Sequence, residues 1–301
     1  MRVILVLSFL FISVHLSFSQ IPMGDWRLFT PPGNARDITA SSTHVYVALE
    51  NGLLEREINS SEKFVWTAAN YLSDIDLSAI HFDLNSNTLF IGYANGNLDL
   101  IKNNSVLNLP ALLLANLSGN KRYNKFVSKD GFVYASTGVG IIKLDPIKRE
   151  VRDSYFPFSS TVPILDVAFI GDTIFALSSN SIRYGNKNSI ALADYTQWNT
   201  LPNVPSHAQG SFKELVTYQN KLILTYQHPD FQVDTIYIRE TAEFEPIPEL
   251  NNNRIYGITS YDNHLVFSSD GSVKDLDANF QVIENVFQYN PGEFVQGNRE
   301  V

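Results

Sequence analysis

The chain contains no cysteine. Without cysteine there are no disulfides, so the chain must hold its core by burial alone. The absence also removes the thiol that a lipoprotein anchor would acylate. Of the 301 residues, 44% are hydrophobic and only 18% are charged. That is ample apolar material for a large core.

Basic residues are also scarce. There are 22 Lys and Arg against 31 Asp and Glu, which gives a formal net charge of −9. A surface this acidic repels a phosphate backbone, so we do not expect a nucleic-acid ligand. It also offers no polybasic attraction to anionic lipid headgroups.

Long apolar runs are missing except at the N-terminus. Arg2 precedes the apolar run 3–14, and Ser17 and Ser19 place small residues before a cleavage site at Gln20. A transmembrane anchor is the alternative, but the run is too short to cross a hydrocarbon core of roughly 30 Å. We therefore predict a signal peptide over residues 1–19, an exported domain over residues 20–301 and no transmembrane segment.

A repeat of about 44 residues runs through the rest of the chain. A short β-rich triplet recurs six times, and its first residues are 44, 44, 41, 48 and 43 positions apart. These triplets begin at Val45, Leu89, Val133, Ile174, Leu222 and Leu265. A β-sandwich also has many short strands, but it lacks a fixed period of this length.

Each repeat is predicted to contain four strands, A to D, with the triplet as strand B. Gly-bearing turns such as Asn51-Gly52 and Asn95-Gly96 follow strand B, and their glycines are predicted to supply the positive φ that tight hairpins require. Helical periodicity is scarce, and only residues 110–117 indicate a brief helical turn. The pattern predicts an all-β protein, a β-propeller of four-stranded blades.

Strands of type D outnumber the other sets. Six A-B-C sets are visible, but there are seven D-type segments, at residues 26–30, 64–68, 105–109, 151–156, 197–201, 244–247 and 282–289. The C-terminal residues 297–301 are similar to residues 34–38, which lead into the first A strand. We therefore expect an incomplete seven-bladed propeller in a C-terminally truncated chain, with residues 26–30 bordering the gap.

Several of these motifs resemble known families. Residues 70–73, 88–92 and Asn95-Gly96 are similar to the repeat of two-component-regulator propellers. Residues 21–27 (Ile-Pro-Met-Gly-Asp-Trp-Arg) resemble the start of the PorZ family. Residues 72–80 and 95–101 resemble that family's first two repeats, and the likeness extends over essentially the whole chain.

The resemblance to PorZ implies a component of the type IX secretion system at the cell surface, peripheral to the outer membrane. It implies two propellers followed by a C-terminal sorting domain, and this sequence ends before the second propeller. It also implies a complex with a PorU-like sortase, PorV and PorQ, which attaches secreted cargo to anionic lipopolysaccharide.

Catalytic and metal-binding spacings are absent from the sequence. The histidines beyond the leader are never two to four residues apart, which argues against a local zinc motif. They are His44, His81, His207, His228 and His264. His44 and His264 fall at equivalent repeat positions and are predicted to be solvated turn residues. Asp74 and Asp76 are interpreted as loop polarity rather than as an acid–base pair. We expect neither enzyme activity nor a cofactor or metal.

Aromatic residues are plentiful, and most lie at strand positions where they fill the core. Tyr71, Tyr123 and Phe158 fall in predicted loops between strands D and A. Loops on a rigid scaffold carry function more often than strands do, so these three rings are the candidates for a binding face.

Three classes of function remain open at this stage. A non-catalytic binding or scaffold protein of type IX secretion is the leading interpretation. The alternative is an extracytoplasmic ligand-sensing propeller of a two-component regulator. A polysaccharide-active enzyme is disfavoured because no carboxylate constellation is visible, and a propeller fold alone separates none of these classes.

Overall fold

Twenty-four strands lie in the part of the chain that the computed structural model describes, and they form six sheets of four. The structure describes residues 33–206, 209–229, 233–247, 250, 254–261 and 263–287. Each sheet is an antiparallel meander in which strands A, B, C and D follow one another in the chain and pair in that order. The described chain is therefore an all-β propeller of six four-stranded blades.

The strand bounds follow the predicted repeat closely. Blades 1 to 3 comprise β1 (Ala35–Ala40), β2 (His44–Leu49), β3 (Gly52–Glu57), β4 (Lys63–Trp66); β5 (Leu77–Asp83), β6 (Thr88–Tyr93), β7 (Leu98–Lys102), β8 (Ser105–Asn108); β9 (Tyr123–Lys129), β10 (Phe132–Thr137), β11 (Gly140–Asp145), β12 (Glu150–Tyr155). Blades 4 to 6 comprise β13 (Asp166–Ile170), β14 (Thr173–Leu177), β15 (Ile182–Asn186), β16 (Asn199–Thr200); β17 (Ser211–Tyr218), β18 (Lys221–Gln227), β19 (Thr235–Arg239), β20 (Phe244–Pro246); β21 (Ile255–Tyr261), β22 (His264–Ser269), β23 (Ser272–Leu276), β24 (Val282–Phe287).

Helical structure is brief, as the sequence predicts. A four-residue helix, α1 (Ala111–Leu114), lies in the connection between blades 2 and 3. A single 3₁₀ turn, Tyr195–Gln197, precedes β16. Asp194 caps that turn, because its carboxylate accepts a hydrogen bond from the backbone N–H of Thr196 at 2.9 Å.

The hydrophobic core is divided among the contacts between neighbouring blades. Five clusters of buried side chains are present among the described residues, and each joins two consecutive blades. Trp66 of blade 1 packs with Leu77 of blade 2, for example, and Ile238 of blade 5 packs with Ile258 of blade 6. Burial between blades therefore replaces the disulfides that the sequence lacks.

Two of the predicted turn glycines act in different ways. Gly96 has a φ of +92°, which L side chains rarely adopt, so its hairpin needs glycine for the backbone angle. Gly52 has no such φ; a Cβ there would lie 2.6 Å from the carbonyl oxygen of Trp66. The prediction that Gly52 supplies a positive φ is wrong, because its role is close approach to the neighbouring strand.

Six blades are described, and each A-B-C set is completed by the D strand that follows it. Residues 26–30 and 297–301, on which the expected seventh blade depends, lie outside the described residues. The seventh blade therefore remains a prediction.

Candidate functional site

A groove of about 660 Å³ lies between blades 1 and 2. Its walls include residues of the A–B turn and of the C–D connection of both blades. The lining residues are Ser41, Thr43, His44, Tyr46, Glu55, Glu57, Glu62, Lys63, Phe64, Trp66, Tyr71, Phe82, Asn87, Leu89, Ile101, Asn103 and Asn104.

The alternation of side chains along a β-strand explains which residues of blade 1 line the groove. Alternate residues of a strand point to the same face, and residues directly opposite in the ladder share that face. Tyr46 lies opposite Glu55, and Glu55 lies opposite Phe64. Two residues further along, Leu53 lies opposite Trp66. These side chains therefore share one face of blade 1, the face that meets blade 2.

The rings of the groove form two aromatic groups. The ring of Trp66 lies 4.9 Å from that of Tyr71, and Phe64 lies 5.3 Å from Trp66 in an edge-on arrangement. On the other side, Tyr46 stacks on Phe82 of blade 2 at 5.8 Å. Trp66 is buried, but Tyr71 is 51% exposed and Phe64 is 43% exposed. The outer two rings thus present aromatic surface to solvent.

A carboxylate, Glu55, lies among these rings. The indole Nε1 of Trp66 donates a hydrogen bond of 2.7 Å to its Oε2. Burial, together with the charge of Glu55, raises the pKa of Tyr46 to about 12. Tyr46 therefore keeps its proton at neutral pH, and its hydroxyl also bonds to Glu55. His44 Nε2 lies 3.9 Å from Oε1 of the same carboxylate.

Two further carboxylates lie at the rim. Glu57 and Glu62 both line the groove and are exposed, and Lys63 is the one lysine or arginine in the lining. Three carboxylates against one ammonium make this a negative surface with aromatic walls. Such a surface attracts cations and repels anions.

The three aromatic candidates from the sequence have different surroundings. Tyr71 lines the groove, and its role in binding stays a prediction. Tyr123 is the first residue of β9 rather than a loop residue, and it is 1% exposed, so its ring belongs to the core between blades 2 and 3. Phe158 is half-buried against the cluster of blades 3 and 4, with the guanidinium of Arg183 5.1 Å from its ring centre.

A second polar site lies where the A strands meet on the propeller axis. Blades 1, 3, 4 and 5 each place one charged residue at the same position of strand A: Asp37, Lys125, Asp166 and Glu214. The equivalence follows from their partners in strand B, which are Ala48, Ser136, Leu177 and Thr225. The Nζ of Lys125 lies 3.3 Å from Oδ2 of Asp166 and 3.1 Å from Oε1 of Glu214.

Each of these carboxylates also binds the A strand of the next blade. Asp37 accepts from the backbone N–H of Ile80 at 2.8 Å, Asp166 from that of Leu215 at 3.0 Å, and Glu214 from that of Ile258 at 2.6 Å. The same strand position thus clamps three pairs of neighbouring blades. This use of the carboxylates is structural, because each already holds a backbone amide.

Burial controls the ionisation of this cluster. It raises the pKa of Asp37 to about 7, and it also raises the pKa of Asp166 and Glu214. For Lys125, burial opposes the charge, but the attraction of Asp166 and Glu214 outweighs it and raises the pKa. Lys125 is therefore a permanent cation at the centre of the propeller.

The channel around this cluster, about 440 Å³, also contains His81. Its Nε2 lies 2.7 Å from Oγ of Ser128, and that hydroxyl donates to Oδ1 of Asp83 at 2.7 Å. Burial lowers the pKa of His81 to about 4, so the ring is neutral. The serine lies between the histidine and the aspartate, which is not the order of a nucleophilic triad.

The remaining polar candidates are bound into local structure. His44 and His264 begin β2 and β22 and are half-buried, and His264 lies 3.0 Å from Asp275, so the expectation of solvated turn residues is wrong. Asp74 accepts from Asn95 Nδ2 at 2.6 Å. His207 lies outside the described residues. Within those residues, no three His, Asp or Glu side chains cluster as metal ligands would.

Sequence reasoning missed Glu55. Its equivalents in blades 2 and 5 are the apolar Leu100 and Ile238, which pair with strand B in the same way. The position is also charged in blades 3 and 6, as Lys143 and Asp275, so a charge there does not by itself mark Glu55.

Comparison with known proteins gives a family and a fold. A family model described as the N-terminal β-propeller domain of PorZ, of the type IX secretion system, matches residues 45–199, just over half of the chain. No curated protein matches in sequence. In the described part of the chain, no helix has the length and apolarity needed to cross a membrane.

Solved structures share the propeller. PorZ of Porphyromonas gingivalis, described as an essential surface component of the type IX secretion system, superposes with a TM-score of 0.71 at 18% identity; 86% of this chain is covered and 34% of that one. The extracellular domain assigned to a hybrid two component system of B. thetaiotaomicron gives 0.52 at 15% identity, over 86% and 42%. Hydrazine synthase of Kuenenia stuttgartiensis gives 0.60 at 13%, over 85% and 80%.

The chain thus spans about a third of the length of the PorZ structure. At these identities the superpositions establish the fold alone. The family match is the stronger observation, because it rests on the sequence of blades 1 to 4. The chain belongs to the family of PorZ N-terminal β-propeller domains.

Proposed function

We propose that this chain is a non-catalytic binding component of the type IX secretion system that acts at the cell surface. In this role it helps attach secreted cargo to anionic lipopolysaccharide, together with a PorU-like sortase, PorV and PorQ. The observation that carries the proposal is the family match over residues 45–199. The surface role stated for PorZ of Porphyromonas gingivalis supports it.

The geometry of the propeller supports binding rather than chemistry. The groove between blades 1 and 2 exposes the rings of Phe64 and Tyr71 beside carboxylates, which is a recognition surface. The carboxylates of Asp166, which is buried, and of Asp37 and Glu214, which are half-buried, each hold a backbone amide of the next blade. Rigid blades with variable faces suit an adaptor that holds several partners.

The test is deletion of the full-length gene, followed by measurement of cargo on cells and in the medium. We expect cargo to appear unanchored in the medium, and restoring the intact gene to return it to the cell surface. Immunoblots of washed cells and of culture supernatant measure the partition. Normal attachment in the deletion strain would refute the proposal.

A second candidate is an extracytoplasmic sensor, favoured by the shared fold of the hybrid two component system domain. A sensor changes transcription when its ligand binds, whereas an attachment component changes the location of cargo. Transcript profiles of the deletion strain separate the two. An altered regulon with normal cargo attachment would favour the sensor.

A further inference from the structure

We propose that the groove between blades 1 and 2 binds the basic side chains of an extended segment of a partner protein. The inference rests on the geometry of the groove and goes beyond the proposed function, since it holds whichever pathway the chain serves. The partner segment is expected to contain arginine or lysine, flanked by residues small enough to lie along the groove.

The first argument is the arrangement of the rings. Phe64, Trp66 and Tyr71 have centroids within 4.9 to 5.7 Å of one another, and the exposed rings of Phe64 and Tyr71 flank the buried Trp66. A cation within about 6 Å of an aromatic face is attracted by its quadrupole. Three adjoining rings supply such faces in one place.

The second argument is the charge. Glu55 lies inside the ring cluster, and Glu57 and Glu62 lie at the rim, while Lys63 supplies the only lysine or arginine charge of the lining. A guanidinium binds a carboxylate in a bidentate, charge-assisted manner. A phosphate or a carboxylated sugar would meet three like charges instead, so the groove disfavours anionic ligands.

The third argument is that Glu55 is held in place as an acceptor. Trp66 donates to one carboxylate oxygen at 2.7 Å, and the protonated hydroxyl of Tyr46 bonds to the same side chain. A carboxylate offers about four acceptor sites. Glu55 therefore keeps capacity for an incoming donor while its position is fixed.

The fourth argument is that only one of the six blades carries this combination at the interface it forms. The position of Glu55 is Leu100 in blade 2 and Ile238 in blade 5, both buried in the contact with the next blade. In blade 3 it is Lys143, which lies 4.0 Å over the ring of Phe132. In blade 4 it is Tyr184, and in blade 6 it is Asp275, whose ladder partner in strand D is Glu284. Among the described blades, blade 1 alone pairs a carboxylate at this position with an aromatic residue of strand D, Phe64.

The experiment is a fluorescence-anisotropy titration of the purified full chain with labelled peptides. The probe is a hexapeptide of alternating arginine and serine. Its matched controls replace arginine by citrulline, which keeps the shape and removes the charge, or by glutamate. We expect saturable binding of the arginine peptide, at least tenfold weaker binding of the citrulline peptide and none of the glutamate peptide. We also expect affinity to fall as salt is raised.

Variants locate the binding site. Tyr71→Ala removes an exposed ring, and we expect about tenfold weaker binding. Tyr195→Ala is the matched control, because Tyr195 is 49% exposed on blade 4 and Tyr71 is 51% exposed. Glu57→Gln and Glu62→Gln are each expected to weaken binding several-fold, whereas Glu245→Gln on the exposed part of blade 5 leaves it unchanged. Thermal melts verify that every variant is folded.

Several outcomes would overturn the inference. They are equal affinity for the arginine and citrulline peptides, no effect of Tyr71→Ala, or no binding at all. Binding of an anionic lipopolysaccharide oligosaccharide that is lost in Tyr71→Ala would assign the groove to a different ligand. Because the titration uses purified protein, a failure of cargo attachment in cells leaves this result unaffected, and the two proposals are tested separately.

Discussion

Asp37, Lys125, Asp166 and Glu214 show how one repeat position serves several blades. They lie far apart in the chain, yet each faces the axis from the same point of its A strand. One lysine cannot neutralise three carboxylates. The carboxyl groups are therefore also stabilised by hydrogen bonds from backbone amides and by protonation. This arrangement makes the stability of the propeller sensitive to pH.

We predict that Asp37 makes the folded chain less stable as the pH rises from about 4 to 7. Burial raises its pKa from 3.8 to about 7, so between these values the folded state holds a proton that the unfolded state releases. The stabilising contribution is therefore complete below pH 4 and is lost as the pH rises through 7. In Asp37→Asn this dependence disappears, and the difference in unfolding free energy between the two proteins changes by roughly 2 to 4 kcal/mol across the interval.

Chemical denaturation at several pH values measures this difference. Asp153→Asn, at an exposed position of β12, is the control and should follow the wild type. A variant Asp37→Asn whose pH dependence parallels the wild type would contradict the prediction.

At the residue scale the sequence reveals loop candidates better than strand candidates. Tyr71 was predicted because a D–A loop precedes blade 2, and it does line the groove. Tyr123 was assigned to such a loop, but strand β9 begins at that residue and buries it. Glu55 and the pair Lys125 and Glu214 were not predicted. Their contacts depend on strand register and on the convergence of distant blades, which no local pattern encodes.

In two turns of blade 3, the addition of a single Cβ atom at a glycine is expected to destabilise the fold. Gly138, in the B–C turn of blade 3, approaches the chain so closely that a Cβ would lie 2.0 Å from the carbonyl oxygen of Asn120. Gly131, in the A–B turn of the same blade, has a φ of +77° and open space around it. Replacement by alanine therefore has a different free-energy cost at each position: a steric clash at Gly138 and an unfavourable backbone angle at Gly131.

We predict that Gly138→Ala lowers the free energy of unfolding by about 2 to 3 kcal/mol, because backbone must shift to admit the methyl group. Gly131→Ala should lower it by about 1 kcal/mol, the cost of a left-handed alanine. Thermal or urea unfolding of both variants decides the order. An equal or smaller loss in Gly138→Ala would show that the loop containing Asn120 yields easily.

At the element scale the repeat alone locates nearly every strand. Each B strand starts one residue before its predicted triplet, and the six D strands after the first predicted segment begin within two residues of the predicted positions. The reason is that alternation and turn residues are local signals. The contacts that each strand makes, and the structural reason for each glycine, depend on neighbouring strands. Gly52 is an example, because the sequence pattern did not predict its role.

The whole molecule is a row of similar interfaces. Each hydrophobic cluster joins two consecutive blades, so stability is close to a sum over neighbouring pairs, as in other repeat proteins. Within a blade, strand B is paired on both sides and in blades 2 to 6 it is mostly buried, while strand D is paired on one side. The protection of backbone amides should follow this order.

We predict that amide hydrogen exchange is slowest in the B strands, for instance at Ile91, Ala135 and Leu224, and fastest in β16 and β24. The first three residues are fully buried and lie in interior strands, whereas β16 has two residues and β24 exposes Val282, Ile283 and Val286. Exchange followed by mass spectrometry of peptic fragments measures this. Equal protection in the D strands would indicate that a further strand or chain pairs with them.

Because every blade is one uninterrupted stretch within a repeat of about 44 residues, its strand pairings are all short in sequence. Such pairings close small loops, which cost little entropy. A chain that crosses a membrane N-terminus first thus completes one sheet before the next has emerged. Each finished sheet then offers a flat apolar face on which the following one assembles. The fold suits vectorial delivery, and we expect a nascent segment ending after β8 to hold two sheets already formed.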